Sequence, residues 1–92
     1  MQESGVFNML KVYAAKWCPH CVRTVEYLKS NKIMFEYFEI EEQPDEIVNK
    51  VIAANGGEDW VVPTLEFNGR WREGKVFNEK ELTDDLKKMG VI

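Results

Sequence analysis

A single histidine and two cysteines among 92 residues leave this sequence short of the four ligands that a closed tetrahedral zinc site needs. All three, Cys18, His20 and Cys21, fall in one short run, and no second cluster completes a ligand set. Long apolar runs are missing too: nothing approaches the roughly 20 residues of a membrane-spanning helix, so no membrane partner is expected. The opening Met1-Gln2-Glu3-Ser4-Gly5 has neither the basic nor the apolar region of a secretory signal, which points to a cytoplasmic protein. Basic stripes are absent as well. Lysines and arginines are interleaved with acids, as in Glu79-Lys80-Glu81, and the formal charge is −4, which argues against nucleic acid as a partner. The acidic run Glu39-Ile40-Glu41-Glu42 reads as solvated surface. No repeat, linker or low-complexity tract divides the chain, so one domain over residues 1–92 is expected.

What is present is an ordinary globular composition, 45% hydrophobic and 30% charged, punctuated at short intervals by turn signals. From about Asn8 to Tyr13, Leu10 and Val12 alternate with Met9, Lys11 and Tyr13, the period of a strand. Pro19 to Ser30 places Cys21, Val25 and Leu28 on one helical face, and Pro19 suits the first turn because its missing N–H is one that a helix start does not use. Phe35 to Ile40 reads as a second strand, parallel to the first because a helix joins them. Pro44 opens a helix with an apolar stripe of Ile47, Val48, Val51 and Ile52, ended by Gly56-Gly57. Thr64 to Phe67 and Trp71 to Glu73 flank Asn68-Gly69, a hairpin signal. Asn78, with Glu81 three residues on, starts a last helix lined by Leu82, Leu86 and Met89 and closed by Gly90. The predicted order is βαβαββα, an α/β chain with a four-stranded mixed sheet and three helices.

Chemistry concentrates in Cys18-Pro19-His20-Cys21. In a reducing compartment a structural disulfide does not persist, and a C-x-x-C at a βαβ junction is the pattern of a redox dithiol. At a helix start, Cys18 meets unpaired N–H groups and the positive end of the dipole, and such cysteines have pKa values lowered to roughly 3.5 to 7. Cys18 is thus the expected nucleophile. Cys21, one turn on and on the apolar face, is the expected resolving cysteine. Two other readings stay open: a metal or iron-sulfur site completed by a second subunit, and a pair of structural cysteines.

Neighbouring residues supply candidates for substrate contact. Lys16 is placed to stabilise the thiolate or a substrate carboxylate, against the simpler reading of a solvated lysine. His20, inside the motif, is placed to tune thiolate stability, against the reading of an inert surface imidazole. Val62-Pro63 precedes a strand. If the bond is cis, the Val62 main chain is left to pair with an extended substrate; if trans, Pro63 is a strand-edge proline. Local sequence leaves that choice open.

Taken together, Tyr13 to Cys21, Val62-Pro63-Thr64 and the element order make nearly the whole chain resemble the glutaredoxins. The resemblance implies the thioredoxin fold, thiol-disulfide oxidoreductase activity in redox homeostasis and electron transport, Cys18 as nucleophile, Cys21 as resolving residue and a cis Pro63. Trp17, directly before the nucleophile, becomes a platform beside the site, while Trp60 and Trp71 are expected at the sheet margins. The implied partners are disulfide-containing proteins, with no bound cofactor and with glutathione, another low-molecular-weight thiol or thioredoxin reductase as electron donor to a monomer. Two departures matter. Val61 stands where the family's Thr-Val-Pro motif has threonine, and Gly74-Lys75-Val76-Phe77-Asn78 replaces the Gly-Gly-x-Asp element that holds glutathione. The altered end and the Asn55-Gly56-Gly57 loop are similar to mycoredoxins and to the glutaredoxin-like hydrogen donors of ribonucleotide reductase. His20 replaces the usual tyrosine; a Pro-His dipeptide also occurs in oxidising thiol oxidases, so an oxidase or isomerase is a further alternative to a reductant.

Overall fold

The computed structural model describes residues 9–92, so the expectations placed on Asn8 and on the first five residues lie outside it. In chain order the elements are β1 (Leu10–Ala14), α1 (Pro19–Ser30), β2 (Phe35–Glu39), a single 3₁₀ turn (Ile40–Glu42), α2 (Asp45–Ala54), β3 (Thr64–Phe67), β4 (Arg70–Arg72) and α3 (Glu79–Met89). The strands form one sheet in the order β2-β1-β3-β4. β1 runs parallel to β2 and antiparallel to β3, and β3 pairs antiparallel with β4. This is the mixed four-stranded sheet with three helices of the thioredoxin fold.

Local chemistry explains the boundaries. Pro44 takes the N-cap position of α2, its carbonyl accepting the Ile47 and Val48 N–H groups, and the first turn carries Asp45 and Glu46 at the positive end of the dipole. At the other end Gly57 returns its N–H to the Ile52 carbonyl at 2.9 Å, with Gly56 and Gly57 both at positive φ. In the hairpin, Asn68 (φ 52°) and Gly69 (φ 84°) supply the two left-handed residues that a tight two-residue connection requires. Asn78 caps α3 by accepting the Glu81 N–H at 2.9 Å. Gly90, in the left-handed region, closes that helix.

The strands differ slightly from expectation. β1 begins at Leu10 and continues to Ala14, β2 stops at Glu39 because Ile40 turns into the 3₁₀ segment, and β4 is Arg70–Arg72 rather than Trp71–Glu73. The alternation in β1 sets Tyr13 on the face opposite Leu10 and Val12, and there too it is buried. It stacks on Phe38, its register partner in β2, at 5.3 Å between ring centroids and on Trp71 of β4 at 5.8 Å. Three rings therefore cover that face of the sheet. Trp71 does lie on a marginal strand, and Trp60 is partly buried against the core.

The core unites Leu10 and Val12 of β1, Leu28 of α1, Val51 of α2, Leu65 of β3 and Leu82 and Leu86 of α3, each no more than 1% exposed. Each such side chain contributes about 1.5–3 kcal/mol when withdrawn from water. Their joint effect is to hold the C-terminal ends of β1 and β2 beside the start of α1.

Candidate functional site

The site begins where β1 ends. Ala14 pairs with Glu39 across the parallel register, so the end of β2 lies alongside the loop that leads to the cysteines. Glu39 uses that position: its Oε1 accepts the Lys16 main-chain N–H at 3.2 Å and the Tyr37 hydroxyl at 3.0 Å. Glu41 accepts the Trp17 indole N–H at 3.3 Å. The acidic run remains at the surface, with Glu41 and Glu42 exposed, and from there Glu39 and Glu41 also bond to the loop that carries the motif. No local pattern marked them, because their role arises from the register between two strands.

Cys18 is the N-cap of α1, with extended backbone (φ −90°, ψ 116°). Its Sγ accepts the Cys21 N–H at 3.3 Å, the contact that an N-cap side chain makes with the third helical residue. As a thiol, Cys18 also points its S–H at the Val62 carbonyl, 3.9 Å away, a weak sulfur contact that ends on ionisation, whereas the amide contact strengthens. Cys18 is 6% exposed and Cys21 1%, so what little surface the pair retains belongs mostly to Cys18. Both cysteines are free. Burial first, then the contact with the Cys18 sulfur, pushes the Cys21 thiol up to about 12, and the Glu39 carboxylate adds to the rise. Cys21 is accordingly held protonated.

The remaining predicted residues take these places around the motif. Val62-Pro63 is a cis bond. Val62 lies just before β3, outside its ladder with β1, with its carbonyl facing Cys18. Trp17 is 62% exposed beside the nucleophile position. Lys16 is exposed and lines, with Ala15, Cys21, Val22, Val25 and Tyr37, a mostly apolar groove of about 460 Å³ between α1 and β2. His20 is engaged on one side: its Nδ1 accepts the Phe77 main-chain N–H at 3.0 Å. That bond ties the motif to the segment before α3 and engages a nitrogen lone pair that a metal would need. Among the described residues no three His, Cys, Asp or Glu side chains group to hold a metal ion, and no helix is long and apolar enough to cross a membrane.

Comparison with known proteins bears on this arrangement. The family model for glutaredoxin matches residues 10–71, which include both cysteines and Val62-Pro63. The chain belongs to the glutaredoxin family. Glutaredoxins are thiol-disulfide oxidoreductases, and that general activity is the frame for the site. In overall structure the chain is similar to the glutaredoxin grx-1 of Archaeoglobus fulgidus, with a TM-score of 0.67 at 24% identity over 91% of this chain and 94% of that one. That likeness speaks for the fold. No curated protein sequence matches the chain.

The segment from Gly74 to Asn78 lies beyond the residues that the family model matches. It carries no carboxylate. Three of its polar groups bond within the chain: the Gly74 N–H donates to Asn55 Oδ1 at 2.7 Å, the Phe77 N–H to His20, and Asn78 caps α3. Arg23 lies over the Phe77 ring, 5.5 Å from its centroid. Sequence reading singled out Gly74 only as part of a departure, and Asn55 only as part of a loop.

Proposed function

We propose that this glutaredoxin reduces protein and low-molecular-weight mixed disulfides by dithiol exchange. The observation that carries the proposal is the Cys18 sulfur held as the cap of α1, accepting the Cys21 N–H at 3.3 Å. A negative sulfur at that point gains from the helix N-terminus and from the directed amide. Cys18 as thiolate attacks one sulfur of the substrate disulfide; the S–S bond breaks and the first thiol leaves with a proton from solvent. Cys21 then attacks the Cys18 sulfur. Its proton passes to the departing second thiolate, a Cys18–Cys21 disulfide forms, and the substrate has gained two electrons. The high pKa of the Cys21 thiol keeps it from competing for the first attack, and its place one turn away makes the second intramolecular.

Around the sulfurs, the Val62 main chain is the surface on which an extended substrate pairs, with Trp17 as an exposed apolar platform and Lys16 as a nearby cation. His20 acts on the site through Phe77 and not through the thiolate. For regeneration, the lack of a carboxylate between Gly74 and Asn78 favours another small thiol or thioredoxin reductase over glutathione. The chemistry suits a cytoplasmic reductant. Turnover by Cys18→Ser tests the reading: activity should vanish, and full retention would end it. Recycling the oxidised protein with glutathione plus glutathione reductase, in parallel with thioredoxin reductase, ranks the donors.

A further inference from the structure

One side-chain amide joins three segments around the substrate-facing loop. Asn55, half-buried at the end of α2, donates through Nδ2 to the Val51 carbonyl at 2.8 Å and to Thr64 Oγ1 at 2.9 Å. Its Oδ1 accepts the Gly74 N–H at 2.7 Å. Thr64, fully buried, donates its hydroxyl to the Val61 carbonyl at 2.5 Å. Every donor in this chain has one acceptor, so the orientation of the amide follows from the network. One amide N–H donates to Val51, the other to Thr64, and the Thr64 O–H donates to Val61.

The network brackets Val62 from both sides. Val61 before it is held by Thr64, Thr64 after Pro63 is held by Asn55, and Gly74 presses on Val61 from outside. That last approach is close: a Cβ built on Gly74 would lie 2.4 Å from Val61 Cγ1 and 2.9 Å from the Val61 carbonyl carbon. Gly74 does not have a positive φ, so contact with Val61, not backbone conformation, is what excludes a side chain there. The Val62 carbonyl, 3.9 Å from Cys18 Sγ, is therefore placed by groups that do not touch it.

We propose that Asn55 is a positioning residue for substrate recognition, acting through Thr64 and Gly74 to hold the Val62 main chain at the spacing from Cys18 that an extended disulfide substrate requires. The inference rests on the assignment of Val62 as the substrate-pairing strand edge and deepens it. The substrate class it serves is a disulfide flanked by peptide groups. A small disulfide with no peptide groups to pair does not depend on it.

The experiment follows the reduced protein in single turnover with two oxidants: dithiodipyridine, which offers no main chain, and a peptide disulfide with at least two residues on either side of the cysteine. In Asn55→Ala the rate constant at subsaturating peptide disulfide should fall about tenfold, with the loss in apparent affinity, while the dithiodipyridine rate stays within about twofold. Thr64→Val, which keeps the shape and removes the hydroxyl, should show a smaller loss of the same kind. The double variant should be less impaired than the product of the two single losses, because both act on one network. Equal slowing with both oxidants, or no slowing with the peptide, overturns the proposal. Failure of the functional reading looks different: the unmodified protein would react with neither disulfide.

Discussion

Replacing Gly74 with alanine adds one methyl group at a place where the structure leaves no room. The new carbon would sit 2.4 Å from Val61 Cγ1, 2.7 Å from Val61 Cβ and 2.9 Å from its carbonyl carbon, against a favourable carbon–carbon separation of about 3.5–4.0 Å. Rotating the valine side chain relieves the first contact. It does not relieve the others, since Cβ and the carbonyl carbon move only with the backbone. Either the Val61–Thr64 segment shifts by roughly 0.5–1 Å or Gly74 withdraws from Asn55 and its 2.7 Å hydrogen bond is stretched. Overpacking of this kind costs about 1–3 kcal/mol, and a weakened, partly buried hydrogen bond adds about 1 kcal/mol. The expected loss is about 2–4 kcal/mol, which for a domain of this size lowers the melting temperature by roughly 10–25 °C. Urea unfolding and thermal melting of Gly74→Ala beside the unmodified protein measure it. Disulfide reduction at a temperature where both are folded should also slow. A variant with unchanged stability and activity would refute the close approach of these two segments and the reasoning built on it.

Other expectations follow from the same geometry. Limited alkylation of the reduced protein near neutral pH, mapped by mass spectrometry, should label Cys18 and spare Cys21, whose thiol burial pushes up to about 12; equal labelling of both would contradict the assignment. Asp85 is subject to burial, which raises its pKa, but the hydrogen bonds and charges of Arg72 and Lys75 outweigh this and the net shift is downward. A lowered folded pKa means stability that is present above the ordinary carboxylate value and lost as pH falls through the lowered one. Asp85→Asn should therefore cost about 1–3 kcal/mol at neutral pH, leaving the buried Arg72 without its anion, and the cost should shrink below about pH 4 in urea titrations. His20→Ala removes the acceptor of the Phe77 N–H and should lower stability by about 1 kcal/mol. If His20 acted on the thiolate directly, the alkylation rate of Cys18 would change while stability did not.

Much of the fold could be read locally because its signals are local. Pro19, Pro44, Asn68-Gly69, Asn78 and Gly90 each impose a backbone conformation or satisfy a helix end within a few residues, and each marks a boundary that the structure contains. The placement of Cys18 at the start of α1 followed from the same logic. What escaped depends on which strands meet, and in which register. Alternation in one strand could not tell that Phe38 and Trp71 lie beside Tyr13. Only the parallel pairing with β1 brings Glu39 to the Lys16 amide. Adjacency in sequence could not show that the His20 ring accepts the N–H of a residue 57 positions later. Asn55, Thr64 and Gly74 come from three separated segments, so no window of sequence contains their network.

The central claim concerns which sulfur takes the substrate first. Cys21→Ser leaves the proposed nucleophile in place and removes its partner, so the mixed disulfide should persist. Incubating that variant with a peptide disulfide and mapping the adduct by non-reducing mass spectrometry should find the peptide on Cys18, and Cys18→Ser under the same conditions should form essentially none. Adduct forming readily on Cys21 in Cys18→Ser, or none on Cys18 in Cys21→Ser, would contradict the account.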